Sequence, residues 1–177
     1  MTDIYPDNFE IDLSNYIVYN SNNYKHNTIC KYILTSSYKL GYIFGTFLNN
    51  NKFNQDYNNM RIHSWILDNI NITYSNKLII AKKIKNYIYD IFGYTCNIVS
   101  NINNNHISIN CYLLSFINIL KEFYNNINNN ITINLPHKYY CNNKHYIQGL
   151  INGIIDINSY HIHTNNFELF YWCCYNI

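Results

Sequence analysis

The side chains that can hold a metal, move a proton or attack an electrophile are few: ten carboxylates, seven histidines and six cysteines in 177 residues. Cys30, Cys96, Cys111, Cys141, Cys173 and Cys174 form no Cys-x-x-Cys pair and keep no regular spacing. Reduced, mostly buried thiols are therefore expected, with adjacent Cys173 and Cys174 the only spacing that suits a metal or a dimer disulfide. His161 and His163 share a strand face as metal ligands do, but no third ligand stands at a suitable distance along the chain. Lys77, Lys82, Lys83 and Lys85 read as the solvated face of one helix, with phosphate contact as the alternative. No Ser-His-Asp order, glycine-rich phosphate loop or zinc pattern occurs.

Composition explains part of this poverty. Asn, Ile and Tyr supply 36, 31 and 20 residues, while Ala81 and Arg61 are the only residues of their kinds. Residues with A/T-rich codons have displaced the others, which points to a strongly AT-biased genome and makes the Asn runs at 49–51, 103–105 and 128–130 lengthened loops. An apolar share of 48% with 18% aromatics argues for a folded chain. No apolar stretch approaches the roughly 20 residues of a membrane helix. The first residues carry no basic start followed by an apolar run, so an intracellular protein is expected, not a secreted one. A net charge of +2 is weak for a nucleic-acid binder, which concentrates basic residues on one face.

The elements that must position these groups follow from periodicity. Residues 1–35 form an N-terminal extension with a strand candidate at 17–19. Ser36-Ser37 caps an apolar helix over 38–48. Residues 61–67 and 71–74 read as strands around an Asp68-Asn69 turn. Ser75 is expected to cap an amphipathic helix with Leu78, Ile79, Ala81, Ile84, Tyr87, Ile88 and Ile91 recurring at three and four and Gly93 at its end. A hairpin over 96–100 and 106–110 and a helix from Leu113 to about Tyr124 complete a compact α+β unit. After Leu135-Pro136 the pattern restarts: a helix over 146–155, a short strand at 160–163, and a last helix from Phe167 capped by Thr164. The expected architecture is a duplicated helix–strand–strand–helix–strand–strand–helix unit, the first copy over 36–130 and a truncated second over 131–177.

A constant offset of 108 residues relates Gly41 to Gly149, Gly45 to Gly153 and Asn50 to Asn158. Each Gly-x-x-x-Gly puts two side-chain-free positions on one helix face, so two such helices can approach backbone to backbone. Repeats of this kind define an architecture before any single residue does.

Leu40-Gly41-Tyr42-Ile43-Phe44-Gly45-Thr46-Phe47-Leu48-Asn49-Asn50-Asn51 resembles the first signature helix of LAGLIDADG homing endonucleases. Gln148-Gly149-Leu150-Ile151-Asn152-Gly153-Ile154-Ile155-Asp156-Ile157-Asn158-Ser159 resembles the second, and Leu135-Pro136 before it is similar to the family's single-chain, two-repeat members. The resemblance implies that the two signature helices pack together at a pseudo-two-fold interface through Gly41, Gly45, Gly149 and Gly153. It also implies an acid at the end of each, holding Mg²⁺ over the scissile phosphates, and sheets that read the DNA major groove. Asn50 and Asn158 stand at those acid positions here. An amide offers a neutral oxygen and no charge, so cleavage is expected to be lost and no cofactor is expected. Mg²⁺ enters only in the alternative of an active endonuclease using displaced acids such as Asp56 and Asp156, of which Asp156 is the candidate metal ligand. Arg61, His63 and Lys52 are the candidate DNA contacts. The expectation is thus a degenerate mobile-element protein, of a large DNA virus or an organelle-like genome. Its expected partner is double-stranded DNA. The alternative is a structural or protein-interaction module with a protein partner or a second copy of itself. The expected locations are a viral factory, a virion, or the host cytoplasm or nucleus.

Overall fold

Ser37 opens the first helix: its hydroxyl accepts from the Leu40 amide at 3.3 Å and its carbonyl from the Gly41 amide at 2.9 Å. These positions come from a computed structural model that describes residues 5–16, 33–48, 63–67, 71–127, 130–158 and 167–175. In chain order the elements are β1 Glu10–Asp12, a 3₁₀ turn Leu13–Tyr16, β2 Ile33–Thr35, α1 Tyr38–Leu48, β3 His63–Ile66 and α2 Tyr74–Phe92. They continue with β4 Asn97–Asn101, β5 His106–Cys111, α3 Leu114–Lys121, β6 Tyr124–Ile127, β7 Asn130–Ile133, a 3₁₀ turn His137–Tyr139, α4 Lys144–Asn158 and α5 Phe167–Tyr175. The class is mixed α+β. The sheets are small: β1 with β2, β3-β5-β4 in that order, and β6 with β7. The candidate strands at 17–19 and 160–163 lie outside the described residues.

Contacts divide the chain into two units that are not consecutive in sequence. One comprises Met1–Ile11, Thr35–Asn49 and Leu120–Ile177, the other Asp12–Leu34 and Asn50–Ile119. The first unit therefore joins α1 to α4 across a hundred residues of chain. Its core is aromatic: Phe44 meets Phe123 edge-on at 4.9 Å between centroids, and Phe9 meets Tyr146 at 5.0 Å. α1 is buried at every position from Leu40 to Phe47, which explains why its sequence is apolar all round and not striped.

Part of the extension over 1–35 belongs to this unit. Phe9 and Ile11 are buried, the Phe9 carbonyl accepts from the Ser36 amide at 3.2 Å, and Pro6 O accepts from the Asn142 amide at 2.8 Å. Asn143 caps α4, accepting from the amides of His145 at 3.0 Å and Tyr146 at 3.2 Å. Its own amide donates to Asn8 Oδ1 at 2.7 Å and to the Ser36 carbonyl at 3.1 Å, so one Asn ties the starts of α1 and α4 together.

In the second unit α2 packs against β4 and β5. The antiparallel ladder pairs His63 with Cys111 and Ile66 with Ser108 on one side of β5, and Asn97 with Asn110 through Asn101 with His106 on the other. Ile107, Ile109 and Cys111 are wholly buried at alternate positions, and Phe92 meets Phe116 at 4.7 Å.

Four expectations are corrected. Residues 71–74 are not a strand: the Thr73 hydroxyl accepts from the Asn76 amide at 3.4 Å, so Thr73 caps α2 in place of Ser75 and the helix begins at Tyr74. α3 stops at Lys121, short of Tyr124. Tyr124 instead pairs with Ile133 in a hairpin hidden in the Asn-rich boundary, because Asn is a poor strand former and only the pairing itself marks it. Lys77 does not belong to a solvated face. It is 1% exposed, and its ammonium donates at 2.7 Å to the carbonyl of Asn105, the one described non-glycine residue with positive φ, at 47°. Lys82 is exposed, and Lys83 and Lys85 are half-buried.

Candidate functional site

Four of the five glycines meet in one helix crossing. A Cβ added to Gly41 would run into the carbonyl of Tyr146 and lie 3.0 Å from the Leu150 amide nitrogen. One added to Gly149 would run into the carbonyl of Tyr38. At Gly45 the obstacle is the Leu150 carbonyl, with the Ile154 nitrogen at 3.1 Å; at Gly153 it is the Tyr42 carbonyl, with the Thr46 nitrogen at 2.8 Å. In every case the blocking atom is backbone, so α1 and α4 touch main chain to main chain. Such proximity suits Cα–H···O=C contacts and is closed to any larger residue.

The contact set is reciprocal under the 108-residue offset. Gly41 meets Tyr146 as Gly149 meets Tyr38, and Gly45 meets Leu150 and Ile154 as Gly153 meets Tyr42 and Thr46. Residue i touching j while j's counterpart touches i's is the property of a two-fold interface.

Hydrogen bonds flank the crossing at helical spacing. Tyr38 Oη accepts from Asn152 Nδ2 at 2.9 Å, and Tyr42 Oη donates to Asp156 Oδ2 at 2.6 Å. Gln148 Nε2 adds a bond to Asn152 Oδ1 at 3.1 Å. Both tyrosines and both partners stand four residues apart, so two rungs cross between the helices on one side. Tyr38, Tyr42 and Asn152 were not singled out by sequence reasoning, and Asp156 was singled out only as a metal candidate; the i, i+4 spacing within the two repeated segments was the available signal. The Asp156 carboxylate is thereby tied to α1. We expect Tyr42→Phe to lower stability by about 1 kcal/mol, and more than Tyr38→Phe, because the former removes a bond to a carboxylate. Urea midpoints of the two variants measure the difference.

Asn158 is the last residue of α4, Asn50 lies outside the described residues, and so do Lys52 and Arg61. His63 pairs with Cys111 in the ladder. Among the described residues no three His, Cys, Asp or Glu side chains gather as a metal site would require. Asn97, Val99 and Asn101 of β4 share one sheet face with His106, Ser108 and Asn110 of β5; the β4 residues are exposed, His106 and Asn110 half-buried and Ser108 buried, and this face carries no Lys or Arg among the described residues.

Next to the crossing, Tyr146 is wholly buried and its hydroxyl has no hydrogen-bond partner among the described residues. Burial pushes it well above its ordinary value of 10.0. Burial likewise raises the Cys141 thiol and pushes Cys173 up to about 12, so neither is a thiolate at neutral pH.

Fold and crossing together define a mixed α+β protein organised around a glycine-mediated helix pair. The chain matches no model of a known protein family, and no curated protein matches it. No helix among the described residues is long and apolar enough to cross a membrane.

Proposed function

We propose that the chain is a degenerate LAGLIDADG homing-endonuclease-like protein, without cleavage activity, that keeps a surface for double-stranded DNA on the β3-β5-β4 sheet. One observation carries this proposal: the reciprocal glycine contact between α1 and α4, which occupies the two segments that resemble the family's signature helices. The order of α2, the β4–β5 hairpin and α3 between them is consistent with it.

The donor set at the matching acid positions is Asn50 and Asn158, two neutral amides, which do not fit a hard divalent cation that demands anionic oxygen. Loss of cleavage follows from that chemistry. The sheet face of Asn97, Asn101, His106 and Asn110 offers amides and an imidazole of the kind that pair with base edges. With no Lys or Arg among the described residues of that face, phosphate contacts are few and affinity is modest.

That same lack of charge favours a second reading, a protein-interaction module that keeps the helix pair and has left DNA. Anisotropy of pooled duplex DNA over a salt series separates the two. Each phosphate contact adds about −0.9 to the slope of log K against log salt, so binding at low salt with a shallow slope is the expected outcome. No binding at the lowest salt would overturn the DNA reading and leave the interaction module. Incubation with Mg²⁺ should leave the duplex intact; Mg²⁺-dependent cuts would instead favour an active enzyme using Asp56 and Asp156.

A further inference from the structure

The β4–β5 hairpin carries a cysteine on each strand at its open end. Asn97 pairs with Asn110 in an antiparallel ladder, so the next step along both strands sets Cys96 opposite Cys111. Opposed residues of such a ladder have Cα atoms about 4.5–5.5 Å apart, within the roughly 4.4–6.8 Å that a disulfide spans. Both residues are wholly buried, and the Cys111 thiol is near enough to raise that of Cys96. Their neighbours Thr95, Asn97 and Tyr112 are exposed on the other face, so the backbone carrying the pair runs along the surface while both thiols face inward, and exchange requires this end of the hairpin to open.

We propose that Cys96 and Cys111 are a reversible cross-strand disulfide site, closed by exchange with a small-molecule disulfide of the glutathione class. One protein sulfur attacks the glutathione disulfide, forming a mixed disulfide and releasing one glutathione thiolate. The second protein sulfur then attacks the protein-side sulfur of that bond and releases the other glutathione. The two protein sulfurs are oxidised by two electrons and the glutathione disulfide is reduced by two. The protons of Cys96 and Cys111 end on the two released thiols.

Geometry favours this pair over the others. Cys173 and Cys174 are adjacent in sequence, with one side chain buried and the other exposed, so they point apart. The neighbouring Cys111 thiol and then burial keep the Cys96 thiol protonated, which makes exchange slow at neutral pH and faster as pH rises. The closed bond would pin the open end of β4, an edge strand of its sheet among the described residues.

The test uses the full chain equilibrated with oxidised glutathione, then unfolded in the presence of an alkylating agent and digested with trypsin. No Lys or Arg lies between Lys85 and Lys121, so both cysteines leave in one peptide. The expected result is that this peptide escapes alkylation and is about 2 Da lighter than its reduced form, a change that dithiothreitol reverses. Oxidised chain should also melt several degrees above reduced chain, and Cys96→Ser should abolish both effects. Full alkylation of Cys96 and Cys111 after equilibration, or a lower melting temperature on closure, would overturn the proposal.

Discussion

Gly45→Ala and Gly153→Ala are each expected to destabilise the protein by about 2 kcal/mol or more, against the usual sign for glycine within a helix. In an ordinary helix interior this change gains roughly 1 kcal/mol of intrinsic propensity. Here the added methyl meets the Leu150 carbonyl or the Tyr42 carbonyl, and neither can rotate away as a side-chain tip would. The helices must separate, and α1 is buried along Leu40–Phe47 with no solvent side into which it can shift. Overpacking of this kind generally costs about 1–3 kcal/mol, and sometimes more. Valine at either position should prevent cooperative folding of the unit.

The reciprocity of the contact sharpens the test. Gly41→Ala should match Gly149→Ala, and Gly45→Ala should match Gly153→Ala, each pair within about 0.5 kcal/mol. The double Gly41→Ala, Gly45→Ala variant should cost less than the sum of the singles, because helices once separated accommodate the second methyl. Urea unfolding followed by helical circular dichroism gives these values, with exposed His145→Ala as a control on α4. A stabilising Gly→Ala at any of the four positions would mean that the helices do not cross main chain to main chain.

The second large effect is a loss of stability in base. Cys141 and Cys173 are held above their ordinary value of 9.0 by burial, and Tyr146 above its ordinary 10.0 for the same reason. Cys96 is raised by the neighbouring Cys111 thiol and then by burial. Each group keeps its proton in the folded chain at pH values where the unfolded chain has lost it. The folded state therefore binds more protons, and stability falls as pH rises. The contribution is intact below pH about 9, falls from there as the thiols begin to differ, and falls more steeply above about 10 when Tyr146 joins them. Each fully buried group adds about 1.4 kcal/mol per pH unit within its window. Cys173→Ala should flatten the profile between about pH 9 and its folded value near 12. Stability that holds level to pH 11 would show that these groups reach solvent in the folded protein.

Much of the local structure was legible because its causes are local. The start of α1 at Ser37 and the end of α2 at Gly93, with φ 68° and its amide donating to Tyr89 O at 2.8 Å, depend on hydrogen bonds spanning three or four residues. The β4–β5 hairpin was legible for the same reason, its two strands being close in sequence. Ser75 was expected to cap α2 and Thr73 to end a strand, and the structure gives the cap to Thr73 because its hydroxyl is the one that reaches the Asn76 amide. The repeat distance of the two glycine pairs is a property of the sequence alone.

What the sequence by itself determined, then, is that two Gly-x-x-x-Gly helices exist, where the first begins, and that both present a bare face; the second was expected over 146–155 and runs from Lys144 to Asn158, capped by Asn143. Tertiary structure alone decided that those faces meet each other, that Tyr42 reaches Asp156, and that Lys77 is buried beneath the turn at Asn105. The physical reason is that each of these depends on desolvation and close approach between segments distant along the chain. A periodicity of two or 3.6 residues records which face of an element is apolar, but not which other face will cover it.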